Sequence, residues 1–434
     1  MKVYKYSKPQ MLFVLGLIFL TISLSAQEGF LYGDPMPDAP ELSIRGKHAL
    51  GVRTLELVNK DQIDILNSIE GVDPLYDRKL TVEIWYPAVV PTGVEAQETY
   101  EEVMGTRGDS LRPLIPFTFK GRALRNADPK KNEGKFPLII VSHGYVGSRY
   151  LMTYLTENLA SKGYVVVAIE HTDSTFKDAA PFQSTLLNRA QDIHFVLDEM
   201  MRLGARDSKD QLAGLIATDN TGIIGYSMGG YGVLNVAGAG YADGLGQFFT
   251  GMTGGSTAIS KLLASNPEYQ GGQDKRIKAV VAFAPWGMER GVWDLEGLKG
   301  LKTPTFFVAG SQDDISGYEK GIKAIYEGAV NADRYLLTYN NARHNVAPNP
   351  PPAEALQPGL HIDEYYRYAE PSWDQRKINN INQHFVTAFL GIHLKGEDFS
   401  KYLELPKDSN EKTWEGFKNR SSTGMELLHV KGVE

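Results

Sequence analysis

The chain has no cysteine in 434 residues. That excludes disulfides, a thiol nucleophile and a thiolate metal site, so the fold must hold through its core alone. Neither an H-E-x-x-H pair nor a G-x-x-x-x-G-K-[ST] loop occurs, which removes the motifs of the zinc-helix and phosphate-loop classes. The glycines of 238–246 and 251–255 follow no strand, as a dinucleotide fingerprint requires. Positive charge is in deficit: 45 Lys and Arg stand against 52 Asp and Glu, a net charge of -7. No basic stripe asks for nucleic acid and no polybasic run asks for anionic lipid. There is no internal repeat.

The one long apolar run is Met11 to Leu24. Lys2, Lys5 and Lys8 precede it, and the small pair Ser25-Ala26 follows it, before Gln27. This predicts a secretory signal peptide over residues 1–26, removed to leave no membrane anchor. The run is short for a bilayer span, which takes about 20 residues. No cysteine follows the cleavage point, so no lipid is attached there. The expected destination is the periplasm or the exterior.

The remainder reads as one globular unit. Hydrophobic residues make up 42% and charged residues 22%, enough apolar material for a large core. Two alternating stretches, 52–58 and 80–86, predict an antiparallel opening. Apolar runs at 137–142, 164–169, 221–224, 278–283 and 303–309, with 334–339, then alternate with helical periods at 150–161, 186–203, 231–237, 317–328 and 377–394. That alternation predicts an α/β fold: a mostly parallel central sheet with helices on both faces and an antiparallel N-terminal edge. The predicted catalytic unit is 27–395. Its insertions are 88–135, read as a surface excursion with a short helix near 100–104, the irregular 238–275, and an aromatic, proline-rich loop at 345–376. The polar tail 396–434 is expected to pack weakly.

Everything turns on Gly225-Tyr226-Ser227-Met228-Gly229-Gly230. A buried strand precedes it and a helix follows, so Ser227 falls at a strand-to-helix turn. Gly225 and Gly229 let strand and helix approach closely. A serine needs a base, and the base needs an orienting acid. In an open parallel sheet, ligands bind outside the carboxyl ends of the strands, so the partners belong on strand exits. Asp313 and Asp314 leave the 303–309 strand. Asp313 is preferred as the acid, and Asp314 suits the N-cap of the next helix. His344 follows the last strand and is the base candidate. His361 lies in the loop beyond, His384 and His393 sit in the last helix, His194 sits in an earlier helix, and His171 precedes the serine. The oxyanion donors are expected to be the backbone N–H of Met228, at a helix N-terminus, and that of Tyr145, in the loop His143-Gly144-Tyr145. His143 is expected to hold that loop. The Tyr145 and Trp286 rings are candidate walls of the substrate pocket.

These residues resemble the α/β-hydrolase superfamily, in particular its secreted dienelactone-hydrolase-like, platelet-activating-factor-acetylhydrolase-like and cutinase-like polyester-hydrolase members. The likeness runs over about residues 50 to 395. Val82 to Pro87 is similar to their opening strand, Ser142 to Tyr145 to their oxyanion loop, Gly225 to Gly230 to their elbow, and Ala284-Pro285-Trp286 to an aromatic subsite loop. The resemblance implies Ser227 as nucleophile, Asp313 as acid, His344 as base, and Tyr145 and Met228 as oxyanion donors. It implies a carboxylic-ester hydrolase with no metal and no cofactor, acting on a small or polymeric ester. Two departures bear on substrate. Dienelactone hydrolases use a cysteine, and none is present. No acid follows Ala284-Pro285-Trp286, where the acetylhydrolases carry theirs. Phospholipid acetyl esters and polyesters remain alternatives on the same machinery, and a non-catalytic binding protein on this scaffold is the distant one.

Overall fold

The computed structural model describes residues 31–269 and 274–433, so the predicted leader 1–26 lies outside the described residues. The first two strands, β1 (Leu50–Ile63) and β2 (Leu75–Val89), pair antiparallel as expected. Then come β3 (Glu98–Met104), β4 (Ile115–Gly121), β5 (Ala123–Arg125), β6 (Asp128–Pro129) and β7 (Phe136–Ser142). Helices and strands alternate from there: α1 (Thr153–Ser161), β8 (Val165–Glu170), α2 (Phe182–Gly204), β9 (Ile216–Tyr226), α3 (Met228–Val236), α4 (Asp243–Met252), β10 (Ile277–Phe283) and α5 (Leu295–Leu298). The series closes with β11 (Thr305–Gly310), α6 (Lys323–Gly328), β12 (Arg334–Tyr339), α7 (Ile362–Tyr366), α8 (Gln375–Leu390) and β13 (Met425–Val430).

One sheet runs in the order β13-β12-β11-β10-β9-β7-β8-β2-β1-β5, with β6 beside β2. The six strands from β8 through β12 in this order are parallel to one another, and the pairs at either end, β8 with β2 and β12 with β13, are antiparallel. The six are buried along nearly their whole length, because a parallel sheet is covered on both faces. The glycines of β9 show that coverage. A Cβ on Gly222 would meet Leu390 and Leu394, at and beyond the end of α8. Three residues on, and so on the opposite face, a Cβ on Gly225 would meet Gly229 of α3.

The strand order reverses at β7. The chain goes from β7 to β8 on one side and returns to β9 on the other. A crevice opens at the carboxyl ends of two strands where their connections diverge in this way. Here those ends are Ser142 and Tyr226, which places the loops of 143–146 and of Ser227 side by side.

Three expectations are corrected. Residues 100–104 form no helix: β3 and β4 make a hairpin outside the main sheet. Tyr100, Met104, Phe117 and Phe119 point inward at every second position, the period of a half-buried strand. The stretch 238–275 is not wholly irregular, since α4 forms within it and buries Leu245 and Phe249. The tail does not pack weakly. Its β13 extends the sheet antiparallel to β12, and Trp414 is 1% exposed.

The tail also secures the earliest described residues. Glu41 N–H donates to the Gly416 carbonyl at 2.8 Å. Lys418 Nζ reaches the Pro37 carbonyl at 2.5 Å, and Gln383 Nε2 of α8 donates to the Gly33 carbonyl at 3.0 Å.

Candidate active site

Ser227 links β9 to α3 with φ 53° and ψ −113°. A positive φ in a residue with a Cβ costs of order 1–3 kcal/mol and persists only where the surroundings over-determine it. Here they do. Ser227 N–H donates to the Phe283 carbonyl at 2.9 Å, and its own carbonyl accepts from Tyr231 and Trp286 at 3.0 and 3.1 Å. The glycines are steric necessities. A Cβ on Gly225 would lie 2.1 Å from the Gly229 carbonyl oxygen, and one on Gly229 would lie 2.0 Å from that of Ser142.

Three side chains predicted from strand exits come together. Ser227 Oγ is 2.9 Å from His344 Nε2, and His344 Nδ1 is 2.8 Å from Asp313 Oδ2. An ionised carboxylate only accepts, so Nδ1 carries the proton and Nε2 is left to accept from the serine hydroxyl. The other Asp313 oxygen accepts from the Ile315 and Ser316 amides at 2.9 and 2.8 Å. Burial pushes the Asp313 carboxyl up, but the adjacent His344 and these amides outweigh it and hold it below its ordinary value. Asp314 faces outward and pairs with Arg343.

The loop expected to supply an oxyanion donor lies against the serine. A Cβ on Gly144 would sit 3.3 Å from Ser227 Cβ, and Tyr145 shares a cavity with Ser227. Met228 opens α3, where a first-turn N–H has no intrahelical acceptor. A buried network holds this loop from behind. His143 Nε2 accepts from the His171 N–H at 3.1 Å, so its Nδ1–H donates to the Gly144 carbonyl at 2.6 Å. His171 in turn bonds Ser142 Oγ at 2.9 Å and Asp192 at 2.8 Å, and Asp192 pairs with Arg78. Burial, then the Arg189 charge, drive His171 down to about 3, so this imidazole stays neutral. Ser142, His171 and Asp192 match the atom types of the first constellation, but they are at most 1% exposed and do not line the cavity that holds Ser227.

The cavity beside Ser227 holds about 600 Å³. Gly144, Tyr145 and Leu151 border one part of it, and Tyr366, Arg367, Ala369, Glu370 and Pro371 border another. The aromatic, proline-rich stretch 345–376 therefore walls the site. Trp286 does not line the cavity. It stacks on Phe182 with centroids 5.7 Å apart, and Phe182 packs on Tyr145 at 4.7 Å. The His344 ring lies beside Tyr226, whose hydroxyl donates to Asn345 Oδ1 at 2.8 Å.

Sequence reading missed Glu370. Its two oxygens accept the N–H groups of Arg343 and Asn345, each at 2.5 Å, and so clasp the backbone on both sides of His344. Burial pushes its carboxyl above the ordinary value, against the pull of those two amides. Nothing in the local pattern of Tyr365 to Pro371 marks this residue. Among the described residues no cluster of three His, Asp or Glu stands ready to hold a metal ion.

The strand order, the strained serine turn and the helix-covered parallel sheet define the α/β-hydrolase fold. Comparison with known proteins agrees. A family model described as platelet-activating factor acetylhydrolase, isoform II, matches residues 117–196. Cutinase est1 of Thermobifida alba is 24% identical over 222 residues, covering 51% of this chain and 57% of the relative. Bis(hydroxyethyl) terephthalate hydrolase of Streptomyces coelicolor is 23% identical over 219 residues, covering 50% and 53%. The chain thus spans just over half the length of these curated relatives. A solved structure, the ferulic acid esterase of Streptomyces cinnamoneus, superposes with TM-score 0.55 at 19% identity, covering 91% of this chain and 100% of that one. Together these findings agree on the α/β-hydrolase fold for this chain.

Proposed function

We propose that the protein is a secreted serine hydrolase that cleaves carboxylic esters through an acyl-enzyme. The observation that carries the proposal is the hydrogen-bonded run from Ser227 through His344 to Asp313, opening on a cavity at the strand ends. In this reading Ser227 Oγ attacks the ester carbonyl as His344 Nε2 takes its proton. Asp313 stabilises the imidazolium and fixes its tautomer. The Tyr145 and Met228 amides receive the oxyanion, each donor worth about 3–4 kcal/mol in the transition state. His344 then protonates the leaving alcohol, and water repeats the sequence on the acyl-enzyme. No cofactor enters the reaction. Export rests on the leader-like residues 1–26, and among the described residues no helix is long and apolar enough to cross a membrane.

The wall built by 345–376 favours a small or medium soluble ester over a polymer surface. A second reading, a lipid or polymer ester taken by the same machinery in an open groove, draws on the matches to the acetylhydrolase model and to the bis(hydroxyethyl) terephthalate hydrolase. Hydrolysis of p-nitrophenyl esters from acetyl to palmitoyl separates the two. A steep fall with acyl length is expected, and sustained turnover on long chains would favour the lipid or polymer ester. Ser227→Ala should abolish turnover and labelling by a fluorophosphonate probe while leaving the fold intact. Retained activity in that variant would remove the assignment.

A further inference from the structure

The cavity beside Ser227 is lined by three arginines and three carboxylates, but they do not pair one to one. The arginines are Arg112, Arg343 and Arg367. Two are answered. Arg112 Nε pairs with Glu364 at 2.7 Å and its NH1 stands 3.4 Å from Asp363, while Arg343 pairs with Asp314. The remaining lining carboxylate, Glu370, spends both oxygens on backbone amides.

Arg367 is different. Among the described residues it makes no ion pair. Its contacts are one long hydrogen bond, NH1 to the Val146 carbonyl at 3.4 Å, and the face of Phe176, 5.0 Å from its ring centroid. Its Nε is buried with no partner at all. A guanidinium has five N–H donors; this one is half-buried, and its Nε is shut off from water without a partner, which is costly. Burial, and then the nearby Arg112, work against its charged form. A fold tolerates such a group where something that binds completes it. The position suits this: Val146 follows Tyr145 in the loop beside the serine, so the guanidinium borders the chamber in which an ester carbonyl would lie.

We infer that Arg367 pairs with an anionic group on the substrate, so that the ester this site prefers carries a free carboxylate, as a half-ester of a dicarboxylic acid does. This rests on the serine-esterase reading and narrows it. A planar fork meets a carboxylate with two parallel hydrogen bonds, and a neutral ester of equal size leaves the half-buried charge unpaired.

The test compares 4-nitrophenyl hydrogen glutarate with 4-nitrophenyl valerate. The wild-type protein should favour the charged ester by about 10- to 100-fold in kcat/KM, the range that a charge-assisted hydrogen bond supports. Arg367→Gln should bring that ratio close to one, and Arg367→Lys should keep part of it. A purely structural role for Arg367 would lower both rates alike and leave the ratio standing. Equal rates on the two esters in the wild type, or an unchanged ratio in Arg367→Gln, would overturn the inference. So would stronger competitive inhibition of valerate turnover by inorganic phosphate than by glutarate, which would assign the cation to a phosphoryl group. Turnover of valerate alone leaves the esterase reading intact while refuting this one. Failure on both esters, with no labelling of Ser227 by fluorophosphonate, removes both.

Discussion

At the residue scale the site depends on how tightly the His344 ring is aimed. Asp313→Asn would keep the shape of the acid but favour the wrong tautomer, and kcat should fall by roughly 10³- to 10⁴-fold. Glu370 acts one step back, as a positioning residue. Glu370→Gln sets an NH₂ group against one of the two amides that the carboxylate accepts, so the loop carrying His344 loses one anchor. Kinetics should show kcat reduced about 10- to 100-fold with KM nearly constant, because small misplacements of a reacting group are costly. Equal losses in KM and thermal stability would mark Glu370 as scaffolding alone. Ser227, Asp313 and His344 could be picked out from the sequence because each sits on the exit of an apolar run, and the chain order serine, acid, base selects among nine histidines. Glu370 and Arg367 could not. They lie in a loop without period, and only the path of that loop over the cavity gives them meaning.

At the element scale the elbow is the least forgiving part of the fold. The Gly229 Cβ position is occupied by the Ser142 carbonyl, which belongs to a central strand and cannot retreat. Gly229→Ala is therefore expected to yield no active, soluble protein. Gly244 in α4 is the matched control: no atom lies within 4 Å of its Cβ position, and it sits within a helix. There the same change should stabilise by up to about 1 kcal/mol, read by denaturant unfolding. The parallel strands were legible because burial on both faces writes them as unbroken apolar runs. The β3–β4 hairpin was not. Its inward Tyr100, Met104, Phe117 and Phe119 are separated by Glu, Thr and Lys, and the pairing that gives them a partner spans a loop of ten residues rich in turns. The edge strand β13 escaped for a related reason, being short and half polar until β12 supplies its hydrogen bonds.

At the scale of the whole molecule, stability should carry a pH dependence from a carboxyl that does not line the cavity holding Ser227. Glu102 of β3 is buried, and burial first, then the neighbouring Glu170 charge, raise its pKa to about 7. Between its ordinary value, near 4.5, and 7 the folded state keeps a proton that the unfolded chain releases. The folded state then binds more protons, so stability falls as pH rises through this window and levels off above it. Glu102→Gln removes the titration. It should raise unfolding free energy at pH 8 by about 1–3 kcal/mol relative to wild type, with the difference closing below pH 5. Parallel urea titrations at the two pH values decide it. With no cysteine in the chain, neither curve should respond to a reducing agent.

The contacts that tie residues 33–41 to α8 and the tail also set a timetable. Glu41 leaves the ribosome about 375 residues before Gly416, its hydrogen-bond partner. At 5–20 residues per second that is a wait of roughly 20–75 s. Over that interval the outer edge of the sheet is open and the first segment has no dock, so the native state is reached only after synthesis is nearly done.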